Sequence, residues 1–214
     1  MSTPYRVSKL TKSDKAIFVK LMTGAFAHDP LFLHLFGDSK VDSKASSNVT
    51  AFVSFLFDKS FLLHEEVWGY FENENLLGAY IVEKPHAIML QKMKGILLIL
   101  RLFPLLFQLS GSTLRHLNSY MRVTRSAAPP CAHHYLIMIG VKREEQGKGI
   151  GKALLYHLLN TVSTDMNSHG VALDTEKKEN VSLYQKFGFT LNSETHSDHL
   201  PVYCMFYQKH DLNK

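Results

Sequence analysis

The stretch HYLIMIGVKREEQGKGIG, His134 to Gly151, decides the fold. Its first eight residues are apolar almost throughout, as in a central strand buried on both faces. The chain then turns through Gln146-Gly147-Lys148-Gly149-Ile150-Gly151, where glycines allow a tight reversal and let neighbouring N–H groups face one way. A helix is predicted from about Gly149 to Met166, with Ile150, Ala153, Leu154, Leu158, Leu159 and Val162 on its apolar face. Strand, glycine turn and helix N-terminus in this order suit a phosphate, because first-turn amides lack helical partners and the helix dipole is positive there, although such a turn often only joins a strand to a helix. The loop is not a Walker loop, since no Gly-Lys-Ser/Thr closes it, and the glycine spacing of a dinucleotide-binding fold is missing.

Working outward, Gly170 to Thr175 reads as a strand, Asn180 to Lys186 as a short helix, and Phe187-Gly188-Phe189 as the entry to another strand. Val202 to Gln208 is a final strand. Upstream, Tyr5 to Lys9 reads as a strand, and Thr11 with Asp14 as a helix cap. His28-Asp29-Pro30 is a turn or helix start, and Ala45 to Leu63 a second long helix. Val67 to Glu72 and Leu76 to Glu83 form a predicted hairpin around Asn73-Glu74-Asn75. The fold class expected is α+β: a mixed central sheet flanked by helices, one domain over 1–214, with a helical insert at 84–130.

That insert is chemically distinct. From Lys84 through Arg143 there is no Asp or Glu, but nine Lys and Arg, so the rest of the chain nets −4 against +5 for all 214 residues. A local positive field attracts an anion, and the acceptor side is expected to suit an acidic or amphipathic molecule. Ile88 to Leu109 is apolar almost all round as a helix, with Lys94, Arg101 and Gln108 on one narrow stripe and Pro104 as a kink. The stripe reads as a solvent edge, a dimer interface or a membrane-surface contact, and Lys94 and Arg101 as acceptor contacts if it faces the cleft. Ser112 is expected to cap a helix to about Val123, and Ala127-Ala128-Pro129-Pro130 to break it.

Composition narrows the function. Hydrophobic residues make up 45% and charged residues 20%, which is ordinary globular usage. Cys131 and Cys204 allow one disulfide at most, so a stapled secreted scaffold is excluded. No signal peptide or bilayer-length apolar run is legible, and a cytoplasmic protein is expected. Nucleic acid and membrane are not expected as partners, and the chain is expected to act as a monomer or homodimer.

The strand ending Ile139-Gly140-Val141, the Gln146-Gly147-Lys148-Gly149-Ile150-Gly151 loop and the Asn180…Leu183-Tyr184…Phe187-Gly188-Phe189 segment resemble the GCN5-related N-acetyltransferase (GNAT) superfamily, in order and spacing. His133-His134-Tyr135-Leu136 and Leu173-Asp174-Thr175 are similar to the branch that contains puromycin acetyltransferase, which tends to have Glu at the Asp174 position. The resemblance covers about a third of the chain strongly. It implies acetyl-CoA as cosubstrate, no metal, and N-acetylation of a small amine such as a drug, amino acid or metabolite. The amides from Gln146 to Gly151 would hold the pyrophosphate, and the backbone of Ile139, Gly140 and Val141 would pair with the pantetheine arm. Asn180 would bond the arm, the Val141 N–H would serve the oxyanion, and Tyr184 would act as acid at the sulfur.

Residue chemistry leaves the base open. Asp174 and Glu176 share a face at the end of their strand if it is regular, and either could act through water or instead cap the Asn180 helix, with Asp174 the first choice and direct attack without a base the alternative. His133 and His134 offer imidazoles ahead of the strand but read as surface or satisfied histidines. His196-Ser197-Asp198-His199 reads as a solvated loop with no four-ligand set. Cys204 reads as core or as a wall of the acceptor site. Two rival functions remain: a CoA-binding protein without turnover whose basic insert recruits a partner or membrane, and a protein N-acetyltransferase.

Overall fold

The computed structural model describes residues 5–85 and 108–209. Seven strands form one sheet: β1 (Tyr5–Lys9), β2 (Glu66–Glu72), β3 (Asn75–Glu83), β4 (His134–Val141), β5 (Gly170–Thr175), β6 (Phe189–Ser197) and β7 (Leu200–Gln208). Their order across the sheet is β1-β2-β3-β4-β5-β7-β6. Every neighbouring pair is antiparallel except β4 with β5, so the sheet is mixed, as the sequence predicts. Asn73 turns the β2–β3 hairpin at φ 53°, a left-handed geometry that Asn tolerates.

Helices α1 (Lys15–Ala25), α2 (Pro30–Phe36) and α3 (Ser43–Leu63) cover one face, where Phe18, Met22, Val53 and Phe57 are buried with Ile81 and Met138 of the sheet. Helices α5 (Ile150–Thr164) and α6 (Lys178–Gln185) cover the other, with Leu154, Leu158 and Val162 against Tyr80, Leu136 and Leu173. Glycines set how closely the layers meet. A Cβ on Gly140 would stand 2.9 Å from Met22 Sδ and 3.1 Å from Ala25 Cβ, while one on Gly78 would stand 3.0 Å from Ile150 and from Leu154. Thr11 caps the first helical turn as predicted, its N–H donating to Asp14 Oδ2 at 2.7 Å.

One irregularity positions everything that follows. Between β3 and β4 the register moves from Ile81↔Met138 to Val82↔Leu136, leaving Ile137 as an extra residue on β4. Such a bulge bends a strand and ends local pairing. On its other side β4 pairs with β5 only at His134↔Val171 and Tyr135↔Ala172, although β5 stays paired with β7 through Thr175. The two central strands therefore part beyond Tyr135.

Within the insert, α4 (Gly111–Ala127) is helical, but its cap differs from the expected one. Ser110, not Ser112, takes the cap position, its Oγ accepting from Thr113 N at 3.1 Å, and the helix runs on to Ala127. Two serines flank Gly111, and the sequence alone does not say which one leaves the helix. Lys94, Arg101, Pro104 and most of the predicted 88–109 helix lie outside the described residues. Of its end, Leu109 is buried against α1–α3 and Gln108 donates to Ser47 Oγ at 2.9 Å. No single described helix is long and apolar enough to cross a membrane.

Candidate active site

At the end of β4 the chain makes the predicted turn. Gly147 and Gly149 take φ values of 81° and 86°, and a Cβ on either would meet nothing within 4 Å. The glycines answer to backbone conformation, and the space beside them is open. Gly149 is the N-cap of α5 and no side chain caps it, so the first-turn amides of a 15-residue helix are left for a ligand or water. Gln146 Nε2 donates to Val141 O at 3.2 Å and ties the loop to the strand. Ile150 is buried in the core, and Gly151 sits close enough to Val141 that a Cβ would lie 3.6 Å from Cγ2. Lys148 pairs with Glu145 at 2.8 Å. The loop residues and Ile139–Val141 thus converge where β4 leaves β5.

Across the parting strands lies a group of carboxyls. The Tyr120 hydroxyl, from α4, donates to both Asp174 Oδ2 and Glu176 Oε1, while Tyr135, from β4, donates to Asp174 Oδ1. Asp29 joins from the N-cap of α2, accepting from Leu31 N at 3.1 Å. Asp174 and Glu176 keep part of their surface open, whereas Tyr120 and Tyr135 are buried. Burial lifts the carboxyls of Asp29 and Asp174 above the usual range. Burial, with Asp29 and Asp174 adding their charge, pushes Glu176 up to about 8. A network braces this group from behind: the Arg125 guanidinium lies 3.7 Å over the Tyr135 ring and binds Glu83 at 2.7 Å, and Glu83 binds Lys59 at 2.7 Å.

Tyr184, on α6, is buried beside Phe189, their ring centroids 5.6 Å apart. Burial and then Asp174, Glu176 and Asp29 hold its phenol well above the ordinary value, so it stays protonated. Among the described residues its hydroxyl has no hydrogen-bond partner. Asn180, one turn earlier, donates through Nδ2 to Thr175 Oγ1 at 2.9 Å and so clamps α6 to the end of β5. Cys204 stands opposite Asp174 in the β5–β7 register. Burial and the two carboxylates push its thiol up to about 12, which leaves it inert as a nucleophile.

His133 and His134 lie at the start of β4, the end far from the glycine turn. His134 is buried and bonded to Ser168 Oγ at 2.9 Å, and His133 to Cys131 O at 2.7 Å, so both are satisfied structural groups. Sequence reasoning missed Asp29, Tyr120, Tyr135 and Arg125 as parts of the site. Their only local signals were a helix cap, a helix face and a strand. The acceptor side expected from the insert's charge rests in part on Lys92, Lys94 and Arg101, which lie outside the described residues. Of the described basic residues in the insert, Arg125 binds Glu83 and Lys84 binds Glu66 at 2.6 Å. The half-buried groups at the end of β5 are the carboxyls of Asp174 and Glu176.

This arrangement, a mixed sheet whose two central strands splay beside a glycine turn and helix N-terminus, is the fold of the GNAT acetyltransferases. The model of the acetyltransferase (GNAT) domain matches residues 119–191, which hold Tyr120, β4, the glycine loop, β5 and α6. Among solved structures, the histone acetyltransferase HPA2 and related acetyltransferase from Corynebacterium glutamicum is similar at 19% identity with a TM-score of 0.72, covering 98% of this chain and 99% of that one. The yncA protein of Salmonella typhimurium, solved with its cofactor acetyl-CoA, gives 15% identity and a TM-score of 0.56, covering 99% and 98%. The ribosomal-protein-S18-alanine N-acetyltransferase of Escherichia coli gives 12% and 0.52, covering 98% of each chain. No curated protein matches the sequence.

Proposed function

We propose that residues 1–214 act as one acetyl-CoA-dependent N-acetyltransferase that moves an acetyl group directly to the primary amine of a small cytoplasmic molecule. The observation that carries the acceptor class is the carboxyl group formed by Asp29, Asp174 and Glu176 beside Tyr184. Such a cluster favours a cation, and an amine arrives as an ammonium. Helix α4 packs against β6, β7 and α2 over these carboxyls, which suits a compact amine better than an extended peptide. The likeness of 133–136 and 173–175 to the puromycin acetyltransferase branch supports the same choice.

The residues fit acetyl-CoA. The open turn at Gly147 and Gly149 and the uncapped start of α5 suit the pyrophosphate, with Gln146, Lys148, Ile150 and Gly151 completing the loop. Among the described residues no strand lies beside the β5-facing edge of Ile139, Gly140 and Val141, which suits the amide-bearing arm, with Asn180 at its side. In the transfer, Glu176 takes the proton from the amine, either directly or through water, while the nitrogen forms its bond to the thioester carbon. The Val141 N–H steadies the oxyanion, the C–S bond breaks, Tyr184 gives its proton to the departing sulfur, and the second proton that the nitrogen sheds returns to the Tyr184 phenolate. Asp174 has both oxygens engaged by tyrosines and takes the positioning role, holding Tyr120 against Glu176.

Thermal unfolding with acetyl-CoA, with adenosine as control, tests the cosubstrate. At 100 times its Kd a ligand stabilises by about 2.7 kcal/mol, roughly 5–10 °C for a chain of this size. Thiol release against a panel of small amines and N-terminal peptides then tests the acceptor. A shift with acetyl-CoA and release with small cationic amines supports the reading. Release only with peptides points to a protein acceptor, and binding without release to any amine points to a CoA-binding protein.

A further inference from the structure

On the outer side of α4 three metal-ligand groups converge from separate elements: His34 in the last turn of α2, His116 in α4 and Asp198 in the β6–β7 turn. Their ligating atoms all lie within 4.8 Å of one another. Both imidazoles turn a nitrogen toward the same carboxylate oxygen, His116 Nδ1 at 2.5 Å and His34 Nε2 at 3.4 Å from Asp198 Oδ2. The rings stand edge to face, 5.3 Å apart, so neither blocks the other's approach to a common centre. Asp198 is held there at φ 54°, a conformation that only a few per cent of non-glycine residues adopt.

We infer that His34, His116 and Asp198 form a binding site for a zinc-class divalent cation, with a fourth position left to water. Two imidazoles and one carboxylate are the ligands that zinc and its neighbours in the first transition row prefer, whereas magnesium and calcium prefer oxygen alone. Zinc bonds of about 2.0–2.1 Å in a tetrahedron set ligand atoms roughly 3.3 Å apart. The His34–Asp198 separation already matches this, and the His116–Asp198 contact opens by under an ångström to admit the ion. The side chains are part-exposed, at 31%, 43% and 36%, so an ion reaches them from solvent.

The location gives the site a consequence. Tyr120 follows His116 by one helical turn on the same face of α4, and Asp29 caps the helix that carries His34. The cation therefore pins together α2, α4 and the β6–β7 hairpin, the elements that frame the carboxyl cluster. This assignment is independent of the acetyl-transfer reading, because its test reads metal binding.

The test uses the full chain stripped with EDTA and titrated with ZnCl2 in a calorimeter, with MgCl2 as control. One zinc per chain at micromolar Kd or tighter is expected, with no magnesium binding. His116→Ala and Asp198→Ala should each weaken zinc at least tenfold. His34→Gln, at an exposed position of α2, should do the same and guards against a variant that fails to fold. With CoCl2 in place of zinc, the intense visible absorption of a low-coordinate site is expected, and it should disappear in the three variants. Since the chain holds 12 histidines, zinc binding that all three variants retain would place the metal elsewhere and overturn the assignment. Absence of binding at millimolar zinc would overturn it equally.

Discussion

Asp174, on β5, and Glu176, one residue past its end, share a tyrosine but differ in environment. Asp174 receives a hydroxyl on each oxygen and carries Arg125 nearby through Tyr135. Glu176 is pushed up to about 8 by burial and by Asp29 and Asp174, which brings it close to working pH, where a general base is most useful. Below that value it holds a proton and accepts none, so kcat should rise with pH through an apparent value near 8. Glu176→Gln should lower kcat by about 10²–10³ and flatten this rise, while acetyl-CoA affinity changes little. Tyr184→Phe should lower kcat by roughly tenfold to a hundredfold without moving the pH dependence, because its phenol stays protonated throughout. Steady-state pH profiles with acetyl-CoA Kd measured in parallel separate the two roles. An unchanged profile in Glu176→Gln would remove that residue as the base.

At the scale of elements, the turn from β4 into α5 uses two glycines for different reasons. Gly149 needs its positive φ, so Gly149→Ala should cost about 1–2 kcal/mol even though nothing crowds the new methyl. It should also weaken acetyl-CoA binding by shifting the first-turn amides. Gly151 lies inside α5 with ordinary space beside Val141, so Gly151→Ala should raise stability by roughly 0.5–1 kcal/mol through helix propensity. Urea unfolding of the two variants checks the contrast, and equal losses would mean that crowding governs the turn. These local features were legible in the sequence because strand, turn and helix each write their own short-range pattern. The Ile137 bulge was not, since it exists only in the pairing of β4 with β3. Nor was the carboxyl cluster, which needs Tyr120 to meet Asp174 and Glu176 from 54 and 56 residues away. Nor does the charge pattern of the insert tell that Lys84 and Arg125 find acids on other strands, since those pairings are made only in the fold.

For the whole molecule, the site is a stability liability whose sign follows from the direction of its shifts. Asp29, Asp174 and Glu176 all have folded values above their unfolded ones. The native state then holds more protons than the unfolded chain across the window from the ordinary carboxylate range up to about 8, the value for Glu176. Folding stability contributed by these groups is greatest at the acid end of that window and declines as pH rises through it. Glu83 works oppositely: burial opposes its charge, but Lys59 and Arg125 outweigh that and lower its value, so its contribution is lost on acidification. Glu176→Gln removes one member of the first set and leaves the second intact. Its Tm should match that of the unmodified chain near pH 5 and exceed it increasingly toward pH 8, at about 2–4 °C for each kcal/mol relieved. Calorimetric scans at half-unit steps of pH would show the widening gap. A constant offset would mean that the substitution acts through packing, and that Glu176 ionises in the folded protein as easily as in the unfolded chain.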